Sequence, residues 1–409
     1  MKLTPAQQDR AAGVLLGQAI GDALGVPYEF APPIVAGDAF MAGGGLGPYS
    51  PGEWSDDTQM TVCIAQVSAT GADLTTETAL ADIALAFYRW RHGGASDIGN
   101  QTSAVIARAD LCIGGAAIDA SMSKFELGIE WFHAFEAAAT EYAASHPRSA
   151  GNGALTRNGV VGLTRLGDRA ATAAAARAVA ALTHADPLVA ASCVLHAEAI
   201  RVAVTEGRLD IRSGLDLLAD DERDQWREWL DQAEQQDPKS FSKNGFTVTA
   251  LQAAWSAIHH TMPEHPTPDH VDDALQLAIS IGHDTDTVPA IAGALLGARY
   301  GVSGLRHDWR RRVHGWPGLT AHDLIQLGLL TAAAGIGRQI QAGNWPRVAS
   351  MLHETRTLAV PLPADPDVVL GTEADLPRAA ELRCDAVVSL CRLGKGDLAP
   401  WGVARHLEQ

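Results

Sequence analysis

Residues 6–24, AQQDRAAGVLLGQAIGDAL, place Gly13, Gly17 and Gly21 four apart, beside a helical stripe of Ala11, Val14, Leu15, Ala19 and Ile20. Residues four apart share one face of a helix. Three glycines on that face leave a groove into which a second helix can settle at close range. The row therefore predicts a fold built by helix packing. Ala-rich runs such as AATAAAARAVAAL agree, because alanine loses no side-chain entropy in a helix. No stretch shows the alternation expected of strands. At 409 residues and 47% hydrophobic content, the chain can bury a sizeable core without covalent staples.

Helical patterns are expected near 58–70, 77–91, 101–110, 124–145, 187–205, 219–235, 247–260, 270–281 and 288–300. Asp186 and Pro187 supply a cap and a first-turn proline for one of them. Residues 31–52 read as a Gly/Pro-rich loop long enough to suggest function or mobility. The Pro/Asp-rich VPLPADPDVVLGTEADLP reads as a linker, followed by a last helix near 376–394. These features set a helical body ahead of a tail that carries the linker and the last helix.

The formal net charge of −17 repels phosphate backbones, and no basic stripe with interleaved aromatics offsets it. Nucleic acid is not an expected partner. The basic run RHDWRRRVHGW at 306–316 reads as a solvated helix face. Five scattered cysteines without a C-x-x-C pair read as reduced, buried thiols. Asp9 and Arg10 argue against a signal peptide, and the apolar run after 288 stops at Arg299, too short for a bilayer. We expect a cytoplasmic protein with no membrane partner, and a monomer.

Two short segments share one pattern. SDDT carries Ser55, Asp56, Asp57 and Thr58, and HDTDT carries Asp284, Asp286 and Thr287, some 230 positions later. Each precedes an apolar helical run, so its carboxylates should sit at a helix N-terminus, where the macrodipole and unpaired N–H groups favour negative charge. Residues i and i+2 do not share a helix face, so Asp284 and Asp286 converge only on a turn-like backbone. Capping alone needs one oxygen, whereas four carboxylates brought together must be separated, protonated or bridged by cation. Hard oxygen donors without a His/Cys set suit Mg²⁺ or Mn²⁺, and two octahedral ions would keep positions open for water and substrate.

Together these segments resemble the ADP-ribosylglycohydrolase family, whose bacterial members include the dinitrogenase reductase-activating glycohydrolases. GVLLGQAIGDALGVPYEF is similar to the family's opening signature, EWSDDTQM to its first metal motif, SDIGNQT to its next element, SAGNGALTRNGVVGL to its Gly-Asn-Gly substrate loop, LTHADPLV to its His-bearing segment and GHDTDT to its second metal motif. The order is kept over about 10–335, which implies a catalytic domain over 1–335 and leaves 336–409 as a C-terminal helical extension. The resemblance implies an all-α, compact orthogonal helical bundle with a binuclear metal centre in a cleft, and cleavage of the bond between ADP-ribose C1″ and an acceptor. It implies two Mg²⁺ (or Mn²⁺) held by Ser55, Asp56, Asp57, Asp284, Asp286 and Thr287. It implies catalytic roles for Glu29, Asp97 and Asp57, and contacts from Asn100, Ser149, Gly151, Asn152, Gly153 and His184 to the ADP-ribose moiety. Thr156 departs from the pattern, standing where the family often has Met.

Elementary chemistry fits those roles. Oxocarbenium character at C1″ calls for a held ribose, an activated water and acidic help to the leaving group. Glu29 or Asp97 could take the proton of that water. An Asn between glycines suits a pyrophosphate nest at Asn152 and Gly153. His283, inside the second metal motif, is expected to point away from the ions. Two alternatives stand beside this reading: a catalytically silent ADP-ribose-binding or immunity-type protein of the same fold, and an HD-type phosphohydrolase prompted by His283–Asp284 and His307–Asp308. The latter lacks an ordered set of histidine ligands. Acceptor linkage stays open among arginine, serine, small molecules and nucleic acid, with arginine first by analogy; the loops that would meet it are 31–52 and 111–125.

Overall fold

A computed structural model of the chain describes residues 2–115, 124–337, 357–389 and 405–408. The chain divides into two compact units, Met1–Leu305 with Trp309–Gln341, and Arg306–Asp308 with Ala342–Gln409.

The first unit is mostly helical: α1 (Pro5–Gly25), α2 (Asp56–Ser68), α3 (Glu77–Gly93), α4 (Asn100–Gly115), α5 (Lys124–Ser145), α6 (Gly153–Thr156), α7 (Arg169–Ala181), α8 (Pro187–Glu206), α9 (Asp220–Gln235), α10 (Thr247–His260), α11 (Asp269–Ser280), α12 (Thr287–Tyr300), α13 (His307–Arg312), which straddles the division, and α14 (Ala321–Gly335). Thr4 and Gln7 close a reciprocal capping box at the start of α1, with Pro5 in its first turn. Asp186 caps α8 through the Leu188 N–H. Strands in this unit are limited to a small ribbon, β1 (His314–Gly315) with β2 (Leu319–Thr320).

The glycine row does what its spacing predicts. A Cβ on Gly13, Gly17, Gly21 or Gly25 would overlap the carbonyl oxygen of Gly297, Gly293, Pro289 or Thr285 respectively. Gly293 and Gly297 return the relation against Gly17 and Gly13. Residue numbers rise along α1 as they fall along α12, so the two helices run antiparallel at backbone contact. The consequence is positional: the C-terminal end of α1 is delivered to the N-terminal end of α12. On the other side α14 closes over α1 and α2, with the Ser68 and Thr331 hydroxyls bonded at 2.9 Å in the core.

By length and composition α8 could cross a membrane, but 78% of its most apolar stretch is buried in the core. Both ends of its middle turns are tied inward, through Asn158 Nδ2 donating to Cys193 O (2.7 Å) and His196 Nε2 meeting Ile291 O of α12 (3.1 Å).

The second unit corrects one expectation. In place of a helical extension, its described residues form an antiparallel pair, β3 (Val360–Leu362) and β4 (Asp365–Leu370), and a parallel pair, β5 (Ala386–Ser389) and β6 (Arg405–Glu408). Over the described residues of 357–389 and 405–408, helical structure is one 3₁₀ segment, Glu373–Arg378. The helix expected near 376–394 gives way at β5, and 390–394 lie outside the described residues. Pro361, Pro363 and Pro366 forbid an α-helix in the first half, and the Val-Val pairs of 368–369 and 387–388 favour strands. Asp375 organises the segment by accepting N–H bonds from Leu358, Ala359 and Thr372.

Candidate active site

Ser55 occupies the N-cap position of α2, yet its hydroxyl makes no capping bond. The capping is done from another helix. The Asp22 carboxylate, buried near the end of α1, accepts from Ser55 N–H (2.8 Å), Thr58 N–H (3.0 Å) and the Thr58 hydroxyl (2.6 Å). Gln18, one turn earlier, donates to Thr61 Oγ1 (2.6 Å) and to the Asp57 carbonyl (3.2 Å). With the helix amides already served, Ser55 Oγ and Asp57 Oδ2 are left buried without a protein partner. Buried oxygens of this kind are costly unless something else engages them.

The second cluster is built differently. Gly282 and His283 both take positive φ, 85° and 65°, and the turn so formed brings Asp284 and Asp286 together as the i, i+2 spacing demands. The His283 side chain is exposed and turned from the carboxylates, packing edge-on against Phe30, while its carbonyl accepts the Phe30 N–H at 2.7 Å. Asp286 caps its own helix by accepting the Thr287 N–H (2.9 Å). Asn244, fully buried, is the clamp: its Oδ1 accepts Asp284 N–H (3.1 Å) and its Nδ2 donates to Gly282 O (3.0 Å). Its carbonyl accepts from Asn152 Nδ2 (3.0 Å), which also donates to Asp284 Oδ2 (2.7 Å).

The two clusters meet. Oxygens of Glu29, Asp284 and Asp286 lie within 4.8 Å of one another, and the Thr287 hydroxyl hydrogen-bonds Asp57 across the gap. Burial, followed by the charges of Asp284, Asp97, Asp56 and Asp22, pushes Glu29 up to about 9. Burial, then Asp97, Asp22 and Asp284, raises Asp56 to about 8, against a bond from the Gly99 amide. Asp57 and Asp286 are driven well above the usual carboxylate range by burial and by the same neighbours. Asp22, softened by its hydrogen bonds, rises by burial to about 6. So many like charges in one buried place hold protons or a cation.

Cation fits better than protons alone. Oxygens bound to one Mg²⁺ at about 2.1 Å stand roughly 3 to 4 Å apart, so a small closure of the 4.8 Å group would suffice. The orphaned Ser55 Oγ and Asp57 Oδ2 face the same need from the α2 side.

The Gly-Asn-Gly segment pairs with the start of α10: Gly151 bridges Phe246, Asn152 N–H reaches Gly245 O (3.2 Å) and Thr247 N–H reaches Ala150 O (2.9 Å). The expected nest therefore loses one member, because both the backbone and side-chain amides of Asn152 are engaged, the latter on Asp284. Gly153 N–H, opening α6, is left. His184 is buried against this segment, with Gly151 and Gly153 nearest its ring edge. Ser149 is buried beside it and Asn100, the first residue of α4, is exposed. Asp97 binds its own neighbour's amide, Ile98 N–H, at 2.8 Å and is felt electrostatically by Glu29 and Asp56.

Three contributors were not singled out from the sequence: Asp22 and Gln18, inside the opening segment, and Asn244, outside any quoted motif. Two carried a signal, since Gln18 and Asp22 are the polar interruptions of an otherwise apolar stretch over 11–25. Asn244 sits in SKNG, which reads as an ordinary turn. The loop over 31–52 is tied down: Gln276 accepts from Gly37 and Ala39 amides and donates to Ala39 O. In the second acceptor loop, 116–123 lie outside the described residues.

A mostly helical fold with carboxylates gathered at two helix N-termini defines the class. Residues 3–338 match the ADP-ribosylglycohydrolase family, and the chain belongs to it. The ADP-ribosylarginine hydrolase Tri1 of Pseudomonas putida (strain GB-1) is 30% identical over 316 residues, 76% of each chain. The ADP-ribosyl-[dinitrogen reductase] glycohydrolase of Rhodospirillum rubrum is 27% identical over 311 residues, 75% of this chain and 90% of that one. A solved structure described as an ADP-ribosylglycohydrolase-related protein complex aligns with a TM-score of 0.57 at 23% identity, covering 81% of this chain and all of its own, and shares the fold.

Proposed function

We propose that this chain is a divalent-metal-dependent hydrolase that cleaves the glycosidic bond between ADP-ribose C1″ and an acceptor, with ADP-ribosyl-arginine on protein as the substrate. The observation that carries the reading is the convergence of Glu29, Asp284 and Asp286 beside the orphaned Ser55 and Asp57 oxygens. The arginine linkage rests on the activity named for the Tri1 relatives.

Ser55, Asp56, Asp57, Asp284, Asp286 and Thr287 would hold two Mg²⁺ or Mn²⁺ ions. When bound, such ions supply Lewis acidity toward ribose oxygens and water. Glu29 stands beside them as a carboxyl whose protons are held unusually tightly by burial and neighbouring charge, which suits a group that shuttles a proton near neutral pH. Asp97, whose charge reaches both Glu29 and Asp56, is the second candidate for that task. Asn152 holds Asp284 in place, and the Gly153 amide with the His184 ring edge gives the ADP-ribose polar contacts. The proposed substrate loop touches the proposed metal ligands through Asn152 and Asp284, so ligand and metal should bind together.

The deciding experiment is release of ADP-ribose from arginine-ADP-ribosylated protein, with a serine-linked substrate in parallel, in Mg²⁺, Mn²⁺ and EDTA. Release from the arginine substrate that EDTA abolishes is expected. Release unaffected by EDTA, or none from either substrate while ADP-ribose still binds, would falsify the proposal.

A further inference from the structure

Arg157 is fully buried, and its pKa is lowered by that burial only to about 10, so it is a cation at neutral pH. Among the described residues no carboxylate pairs with it. Its partners are neutral: Nη2 donates to Thr183 Oγ1 (2.6 Å), Nη1 donates to Gly153 O (3.3 Å) and approaches Met60 Sδ (3.9 Å), and the guanidinium lies 4.9 Å from the centroid of the Phe87 ring. A buried, uncompensated cation is expensive to keep, and packing alone would be served by an apolar side chain of similar volume.

Thr183 Oγ1 also lies 2.7 Å from His184 Nδ1. A guanidinium only donates, so the Thr183 oxygen accepts from Arg157, and the acceptor its own proton meets at hydrogen-bond distance is His184 Nδ1. With the threonine proton so placed, the ring's one proton resides on Nε2. Protonating Nδ1 as well would displace the threonine proton and set a second positive charge against the guanidinium. Burial and the Arg157 charge do hold the His184 pKa well below its ordinary value. Nε2 is the edge that meets the substrate loop: a Cβ on Gly151 would stand 3.4 Å from it, and one on Gly153 3.6 Å from Cε1. The two glycines keep that edge uncovered.

We propose that Arg157, acting through Thr183, is a positioning residue that locks His184 in the neutral tautomer with its proton on Nε2, a standing donor toward an oxygen-bearing ligand seated over Gly151–Gly153. His184 is therefore not a general base for this protein. By its second bond Arg157 also fixes the Gly153 carbonyl, so one side chain sets both walls of the ligand contact. The identity of the ligand as ADP-ribose rests on the function proposed above, but the tautomer does not.

Long-range ¹H–¹⁵N NMR of the histidine-labelled full chain at pH 7, with His184 assigned by His184→Gln, reads the tautomer directly on the free protein. The Nε2–H form is expected; an Nδ1–H form or an imidazolium overturns the inference. Thr183→Ser should keep the wild-type tautomer and ADP-ribose affinity measured calorimetrically with Mg²⁺. Thr183→Val should mix the tautomers and weaken ADP-ribose by about tenfold, the scale of one lost ligand hydrogen bond. Arg157→Lys, retaining a donor to Thr183, should stay near wild type in tautomer, whereas Arg157→Met should match Thr183→Val. An unchanged tautomer and affinity in folded Thr183→Val overturns the relay, and that variant carries the test should Arg157→Met fail to fold. If the wild type does not bind ADP-ribose at all, the proposed activity fails, while the NMR result still decides for or against the lock.

Discussion

The helix N-termini of α2 and α12 carry nearly the same letters and solve the same problem in opposite ways. At α2 the capping is delegated to Asp22 from α1, which releases Ser55 Oγ and Asp57 Oδ2 from any structural duty. At α12 the cap is internal, Asp286 serving Thr287 N–H, and the preceding turn is braced from outside by Asn244. Delegation frees side chains for a ligand; self-capping leaves one residue with two tasks. Similar motifs in sequence therefore do not imply similar tolerance to substitution.

Both ends depend on the α1–α12 contact, and the largest expected effect strikes them together. Gly17→Val would drive a side chain into the Gly293 carbonyl, and backbone against backbone has no rotamer by which to yield. We expect a loss of about 3–5 kcal/mol in denaturant unfolding, with activity lost in whatever remains folded. A stability change under 1 kcal/mol would mean that the helices can part without consequence, and that the glycine row does not set the site.

Next comes the delegated cap. Asp22→Ala strips acceptors from Ser55 N–H, Thr58 N–H and the Thr58 hydroxyl, all buried, at an expected cost of about 2–4 kcal/mol. Asn244→Ala, the brace at the other end, should cost about 2 kcal/mol and weaken Mg²⁺ binding, because Asp284 loses its anchor. Urea melts and metal titrations of the two variants compare the designs directly. Equal loss of metal affinity with no loss of stability in Asp22→Ala would place it among the ligands and not behind them.

Much of this was legible in the residues themselves. The four-residue glycine spacing announced close helix packing, and SDDT and HDTDT announced helix N-termini, because local chemistry of spacing and capping suffices for both. The partner of the glycine row was not legible, since Gly293 and Gly297 lie 280 residues away and nothing local couples them. Asp22 was visible only as an oddity in an apolar helix; that it caps another helix is a fact of tertiary packing. Asn244 looks like any turn residue, and its value arises from where the chain returns. The strands of 360–370 were missed because a short Val-Val pair in a Pro-rich stretch resembles linker as readily as strand, and that of 386–389 because its residues were read as part of a last helix.

A smaller effect separates the caps from the ligands. Asp56→Ala removes a first-turn carboxylate of α2 that caps no amide of its own helix, and the relief of repulsion from Asp97, Asp22 and Asp284 offsets the lost dipole interaction and the lost Gly99 amide bond. Its stability should fall by less than 0.5 kcal/mol or rise. Asp286→Ala also removes a charge but loses the α12 cap, so it should cost about 1 kcal/mol. Turnover should be abolished in both, as each is a proposed metal ligand. Near wild-type rates in either, after metal depletion and Mg²⁺ restoration, would exclude that residue from the metal set.

A further effect is a pH trend of the metal-free protein, whose sign is fixed by the direction of the shifts. Asp22, Asp56 and Glu29 all have folded values above those of exposed carboxyls, at about 6, 8 and 9. A group that binds its proton more tightly when folded favours the fold at low pH, and that contribution is lost as pH rises through the folded value. In EDTA the melting temperature should thus decline from about pH 5 to pH 9. A divalent cation substitutes for the missing protons, so Mg²⁺ should raise the melting temperature more at pH 8.5 than at pH 5.5. A metal-free melting temperature that climbs over this range, or a Mg²⁺ increment independent of pH, would mean that the carboxylates of the two helix ends do not share one buried charge.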